Sequence, residues 1–222
     1  MTDSILAPYR QLHIAMRTHL PHSAVFPLGA GLLLGACSAD SAPPGPSPGP
    51  SPEKLEAART QAAAVADELG QQLVAALGEA IQRSGPVGAI EVCQLRAPQI
   101  AAALGQRRNL EVGRTALRLR NPANAPDAFE RGVLEQFERE LAGGAQASSL
   151  HASRSVPDEN GWRYEWLRPI ALQPMCVVCH GDQLAPELRD ELARRYPADQ
   201  ATGFKPGELR GAFTVSLRIP RE

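Results

Sequence analysis

His151-Ala152-Ser153-Arg154-Ser155-Val156-Pro157-Asp158-Glu159-Asn160-Gly161-Trp162-Arg163-Tyr164-Glu165-Trp166-Leu167-Arg168-Pro169-Ile170 is two strand-forming runs around a turn. Asp158-Glu159-Asn160-Gly161 is a turn-forming run, so 151–157 and 162–170 fold back around it as a hairpin. Side chains alternate across a strand, which puts Trp162, Tyr164 and Trp166 on one face. Nearer the end of the chain, Leu209, Gly211, Phe213, Val215, Leu217 and Ile219 alternate with Arg210, Ala212, Thr214, Ser216 and Arg218, a second strand with period two. Residues 110–120 read as a further strand, broken by Asn121-Pro122-Ala123-Asn124-Ala125-Pro126.

Helices separate these strands. Ser51 caps a long N-terminal helix with Pro52 in its first turn, and Val65, Leu69, Leu73, Leu77 and Ile81 recur every four residues until Gly85-Pro86 is expected to stop it. This alanine-rich stripe reads as core packing rather than a signalling face, although a homodimer through it stays open. Residues 87–104 read as a second helix bent by Pro98, with Val87, Ile90 and Cys93 along its inner side. Asp127 opens a helix to about residue 141, ended by Gly143-Gly144, and 186–196 forms a short one. A hairpin among helices implies an antiparallel sheet flanked by helices, an α+β domain.

The chain has 222 residues and a net charge of -1, with no run of Lys or Arg, which argues against a nucleic-acid surface. The uncharged stretch 23–36 is too short to span a bilayer and ends in Leu34-Gly35-Ala36-Cys37. Residues 1–36 therefore read as a lipoprotein signal, with translation starting at Met1 or at Met16, and Cys37 as the lipid-bearing residue that partners the membrane. An ordinary secretory signal is the rival. Ser38 fits sorting to the outer membrane of a Gram-negative bacterium, so the chain is expected in the cell envelope facing the periplasm. Residues 37–52 are a proline-rich tether of up to about 45 Å, and 53–222 is one domain with its own core.

Cys176-Val177-Val178-Cys179-His180 has the spacing for covalent haem attachment: two thiols add to the porphyrin and the next residue ligates iron. A redox Cys-X-X-Cys does not need the histidine, and a zinc site would need a second ligand pair that the chain lacks. With 4 Cys in the chain, one assigned to lipid and two to haem, Cys93 is left without a disulfide partner. It is either a buried apolar thiol or a thiolate bound to iron opposite His180. His151 is the runner-up for that position, whereas Met175 lies too close to the motif to reach over the ring. Arg114, Arg118 and Arg120 fall on one face of the strand expected at 110–120. They would pair either with haem propionates or, on a solvated face, with Asp127 or Glu130.

Several blocks together resemble a known family. Val87-Gly88-Ala89-Ile90-Glu91-Val92-Cys93 with Ala97-Pro98, Val112-Gly113-Arg114-Thr115, the run from Leu119 through Asn121-Pro122 to Asp127, Arg168-Pro169-Ile170, the Cys176 to Gly181 segment and Gly207-Glu208-Leu209-Arg210-Gly211-Ala212 are similar to the bacterial c-type haem family with a PAS-like domain, long catalogued as a domain of unknown function. The resemblance implies a PAS-like fold, one covalent haem c, and iron held by the motif histidine and a distant cysteine, here His180 and Cys93. Thiolate ligation would favour ferric iron and a low potential, and two filled axial positions would leave no open site for enzyme chemistry. A redox or diatomic-gas sensor follows as the expectation, in which loosening of Cys93 lets its helix move and passes the signal to a redox or signalling protein partner. The alternative is a lipid-anchored electron-transfer cytochrome c, with a haem enzyme in third place.

Overall fold

The structure, a computed structural model, describes residues 49–221. The expected signal, Cys37 and most of the proline-rich tether lie outside them. Helix α1 (Pro52–Glu91) starts where the Ser51 hydroxyl accepts the Lys54 N–H at 3.4 Å, with Pro52 in the first turn. Its winding breaks at Gly85-Pro86 as expected: Gly85 adopts φ 67° and ψ 179°, outside helical values, and Pro86 opens the second helical stretch where a missing N–H costs little. The path continues through a π-turn, Val92–Arg96, into α2 (Ala97–Arg108). Pro98 explains the wider turn: without an N–H it leaves the Gln94 carbonyl no α-helical partner, and the Ala97 N–H bonds to Val92 O instead.

Four antiparallel strands, β1 (Glu111–Thr115), β2 (Ala152–Asp158), β3 (Gly161–Ala171) and β4 (Leu209–Pro220), lie in the order β1-β4-β3-β2. The expected hairpin forms, with Asp158 paired to Gly161 across Glu159-Asn160, and Trp162, Tyr164 and Trp166 sit opposite Ile219, Leu217 and Val215. The strand expected over 110–120 is shorter. After Thr115 the chain leaves the sheet, and the Ala116 N–H bonds to Asn124 O instead of to a neighbouring strand.

Helix α1 packs on one sheet face. Ala58, Ala62, Val65, Ala66 and Leu69 meet Tyr164, Trp166, Val215, Leu217 and Ile219, so the stripe is core. Small residues let the helix approach closely: a Cβ on Gly70 would stand 3.1 Å from the Phe213 ring. Helix α3 (Ala128–Ala142) covers part of the other face through Val133, Leu134 and Phe137, which pack with Leu167, Leu209 and Ala212. Its start is the expected one, with Asp127 and Glu130 forming a reciprocal capping box. The one-turn α4 (Val177–His180) and α5 (Pro186–Arg195) follow β3. Two small clusters tie this region down: Ile90 with Leu188, Leu192 and Tyr196 beside Cys179, and Leu172 with Ala201 and Phe204 beside Cys176. The result is the expected α+β architecture, an antiparallel sheet flanked by helices with a long helix at the N-terminal side.

Candidate functional site

His180 ends α4 and is held by the loop 199–204. The Gly203 N–H bonds to Gly181 O at 2.8 Å and the Phe204 N–H to His180 O at 2.9 Å, so loop and motif are laced together through their backbones. Between them the imidazole Nδ1 lies 2.7 Å from Ala201 O. A carbonyl only accepts, so Nδ1 carries the hydrogen and Nε2 keeps a lone pair. Burial, followed by the positive charges of Arg210, Arg120 and Arg114, lowers the His180 pKa to about 3 against the opposing Ala201 bond. The ring is therefore neutral at physiological pH, with its tautomer set and one nitrogen unused. A metal-binding imidazole needs those properties.

The structure sorts the arginines differently from the expected strand face. Arg114 lies on β1, but Arg118 and Arg120 lie beyond it, where the chain has turned toward loop 199–204. Arg120 is 8% exposed and pairs with Asp199 at 2.9 Å. It also donates to Cys179 O at 2.7 Å and Ala201 O at 3.2 Å, while Asp199 accepts the Ala201 N–H at 2.8 Å. Arg118 donates to Gln200 O at 3.0 Å and to Thr202 O, and its guanidinium lies 3.9 Å over the Phe204 ring. Neither pairs with Asp127 or Glu130; both brace the loop behind His180.

Arg210, absent from the sequence-derived candidates, joins Arg114. Ile170 pairs with Gly211 but Ala171 pairs with Leu209, so Arg210 is the extra residue of a β-bulge. Regular alternation placed it on the polar side of β4; the bulge brings it to the arginine cluster instead. Burial and the charges of Arg120 and Arg114 pull its pKa down to about 10, with Asp199 and Cys93 opposing. Arg114, opposite Phe213 on the face that α1 covers, is lowered chiefly by burial, with Cys93 and Tyr196 opposing. Nothing local marks Arg210 in the sequence except the adjacent Gly211. There a Cβ would stand 2.4 Å from Thr115 O, so this glycine is required by close approach of β4 to β1.

Cys93 is half-buried in the π-turn. As a thiolate it would favour the charges of Arg114 and Arg210, which also act on His180, and oppose ionisation of Cys179 and Tyr196. Cysteine and histidine, far apart in sequence, thus share one set of neighbours. Cys176 and Cys179 are free and half-buried; burial raises the Cys179 pKa while Arg120 lowers it. Gln94, next to Cys93, accepts from Arg195 of α5 at 2.9 Å. Leu95, Met175 and Val178, which flank these residues in sequence, are 51%, 53% and 46% exposed. His151 is not brought to this place: it stacks on Trp166 with 6.3 Å between ring centroids and acts on Glu56 near the start of α1. Among the described residues no group of three or more His, Cys, Asp or Glu side chains could form a metal cage, and no helix is long and apolar enough to cross a membrane.

A flanked antiparallel sheet that presents, among the described residues, a tautomer-locked imidazole, three free thiols and two arginines without ion-pair partners is a domain of the α+β class. The Tll0287-like family model matches residues 52–218, and the chain belongs to that family. The match spans every block from which the family resemblance was read. Among solved structures, the cyanobacterial heme-protein Tll0287 is similar in fold, with a TM-score of 0.54 and 24% identity over 78% of this chain and 100% of that one. No curated protein matches the chain.

Proposed function

We propose that this chain carries one haem c attached through Cys176 and Cys179, with His180 and Cys93 as axial ligands, and that it serves as a redox or diatomic-gas sensor. The observation that carries the reading is that His180, with Nε2 unused, and Cys93 lie among the same arginine neighbours, Arg114 and Arg210. Family membership and the heme-protein of similar fold support it. The residues suit the group: the motif thiols are free, apolar side chains lie exposed beside them, and a buried guanidinium nitrogen has no partner. When bound, haem supplies a one-electron ferric/ferrous couple that a thiolate ligand biases toward ferric.

Sensing is favoured over simple electron transfer by the seat of Cys93. A π-turn is a local excess of one residue in a helix, and its return to α winding shifts the register by about 1.5 Å and about 100°. Such a slip would carry Cys93 out of position and pull on Gln94 and Arg195, and with them on the contact between α1 and α5. We further assign the domain to the cell envelope, tethered by a lipid on Cys37 and signalling to a separate protein. The second reading is a lipid-anchored electron carrier, favoured by the exposed Met175 and Val178, which would give a partner an apolar contact beside the attached group.

Absorption and electron paramagnetic resonance spectra of the purified protein, with and without CO, test the assignment. Cys93→Ala should convert a ferric thiolate spectrum to another ligand state, while His151→Ala should leave it unchanged. A spectrum indifferent to Cys93→Ala overturns thiolate ligation. Rapid electron exchange with no ligand change and no CO uptake selects the carrier.

A further inference from the structure

Two of the four arginines around His180 form no ion pair among the described residues. Arg120 has Asp199, and Arg118 is held by two carbonyls and an aromatic face. Arg114 makes no hydrogen bond or ion pair among the described residues, and of the groups that favour its charge only Cys93 and Tyr196 act on it. Arg210 gives one bond, Nη1 to Arg118 O at 3.3 Å, and its Nε is buried without a partner. Buried charge is expensive unless paired, and two such cations repel each other. They stand on neighbouring strands, β1 and β4, on the side shared with Cys93 and His180. The bulge at Arg210 is the structural device that puts the second cation there, since unbroken pairing would have turned it away.

We propose that Arg114 and Arg210 are the paired seats of the two haem propionates. The assignment rests on the haem reading and divides the arginines: Arg114 and Arg210 face the prosthetic group, while Arg118 and Arg120 position the loop that holds His180. Guanidinium forks match carboxylates, and two separate cations match a group that presents two carboxylates along one edge. Each cation also lowers the electrostatic cost of reducing the iron, so the pair raises a potential that the thiolate lowers.

The test uses the haem-loaded protein and the variants Arg114→Gln, Arg210→Gln, their double variant, Arg210→Lys, and, as the control, Arg218→Gln at an exposed arginine of β4. Haem content, thermal midpoint, resonance Raman propionate bands and reduction potential across the neutral pH range are read on each. Each Gln variant should retain haem, perturb the propionate bands and move the one-electron equilibrium toward ferric by about three- to tenfold, tenfold being 59 mV. The potential should also become pH-dependent as a released carboxylate begins to titrate. Arg210→Lys should restore at least half of the shift, and Arg218→Gln should keep the wild-type bands and pH profile. A haem-loaded double variant with unaltered bands, potential and pH profile overturns the assignment and leaves the haem reading standing. A wild-type chain that attaches no haem overturns both. Excess succinate should not move the wild-type potential; a saturable shift would give the pair to a free dicarboxylate and overturn the propionate assignment.

Discussion

Asp199→Ala removes one half of a buried ion pair, and its consequences can be worked from the contacts. Arg120 and Asp199 are only 8% and 9% exposed, with Oδ2 of Asp199 3.0 Å from Nε and 2.9 Å from Nη2. Breaking such a pair on one side strands a charge, at a cost of about 3–5 kcal/mol. Arg120 keeps Cys179 O at 2.7 Å and Ala201 O at 3.2 Å, which places the loss near the lower end. The Ala201 N–H loses its 2.8 Å acceptor as well, adding about 1 kcal/mol. The sum, about 4 kcal/mol, corresponds to a fall in thermal midpoint of about 8–16 °C for a domain of this size. Urea and thermal unfolding of wild type and variant read it directly. Arg120→Met combined with Asp199→Leu should cost less than the two single changes added together, because no charge is left unpaired. A loss below about 1 kcal/mol for Asp199→Ala, or strict additivity in the double variant, would refute the bracing role of this pair.

In protein expressed without haem attachment, His180 makes stability depend on pH. Its folded pKa of about 3 lies below the ordinary 6.5, so between those values the unfolded chain takes up a proton that the folded chain refuses. Its contribution should be complete above about pH 6.5 and decline as pH falls, by up to about 1.4 kcal/mol per unit. Denaturation midpoints measured against pH should flatten in His180→Gln, and an equal slope in both would refute the burial of this ring. Gly211→Ala should destabilise by about 1–3 kcal/mol because the new Cβ meets Thr115 O at 2.4 Å. Gly113→Ala, whose Cβ would stand 3.4 Å from Thr214 Oγ1, should cost under about 0.5 kcal/mol in the same calorimetric comparison.

Much of the molecule was legible where neighbours along the chain decide the outcome. Asp127 with Glu130, Ser51 with Pro52, and the Asp158 to Gly161 turn each carry their partners within a few residues, and each element began where those residues placed it. Gly85-Pro86 was legible for the same reason: a glycine at positive φ followed by a proline breaks the winding through local backbone chemistry, and the next helical stretch buries Ala89 and Ile90 beyond the kink. The strand at 110–120 was overrun because its alternation persists in sequence past Thr115, while the bond that ends it comes from Asn124.

The proposed role of Cys176 to His180 was readable without a fold, since it rests on spacing along the chain alone. The neighbours of His180 are a different matter. Ala201, which sets its tautomer, and Arg210, which a one-residue bulge redirects, arrive through contacts between distant segments. The amino-acid sequence alone determined the element types, the Cys-X-X-Cys-His spacing and the α+β class, because those depend on local periodicity and spacing. Only the tertiary structure decided which arginines brace the loop and which lack an anion. That distinction depends on where β1 ends and how β4 registers on β3, and both are settled by non-local hydrogen bonds.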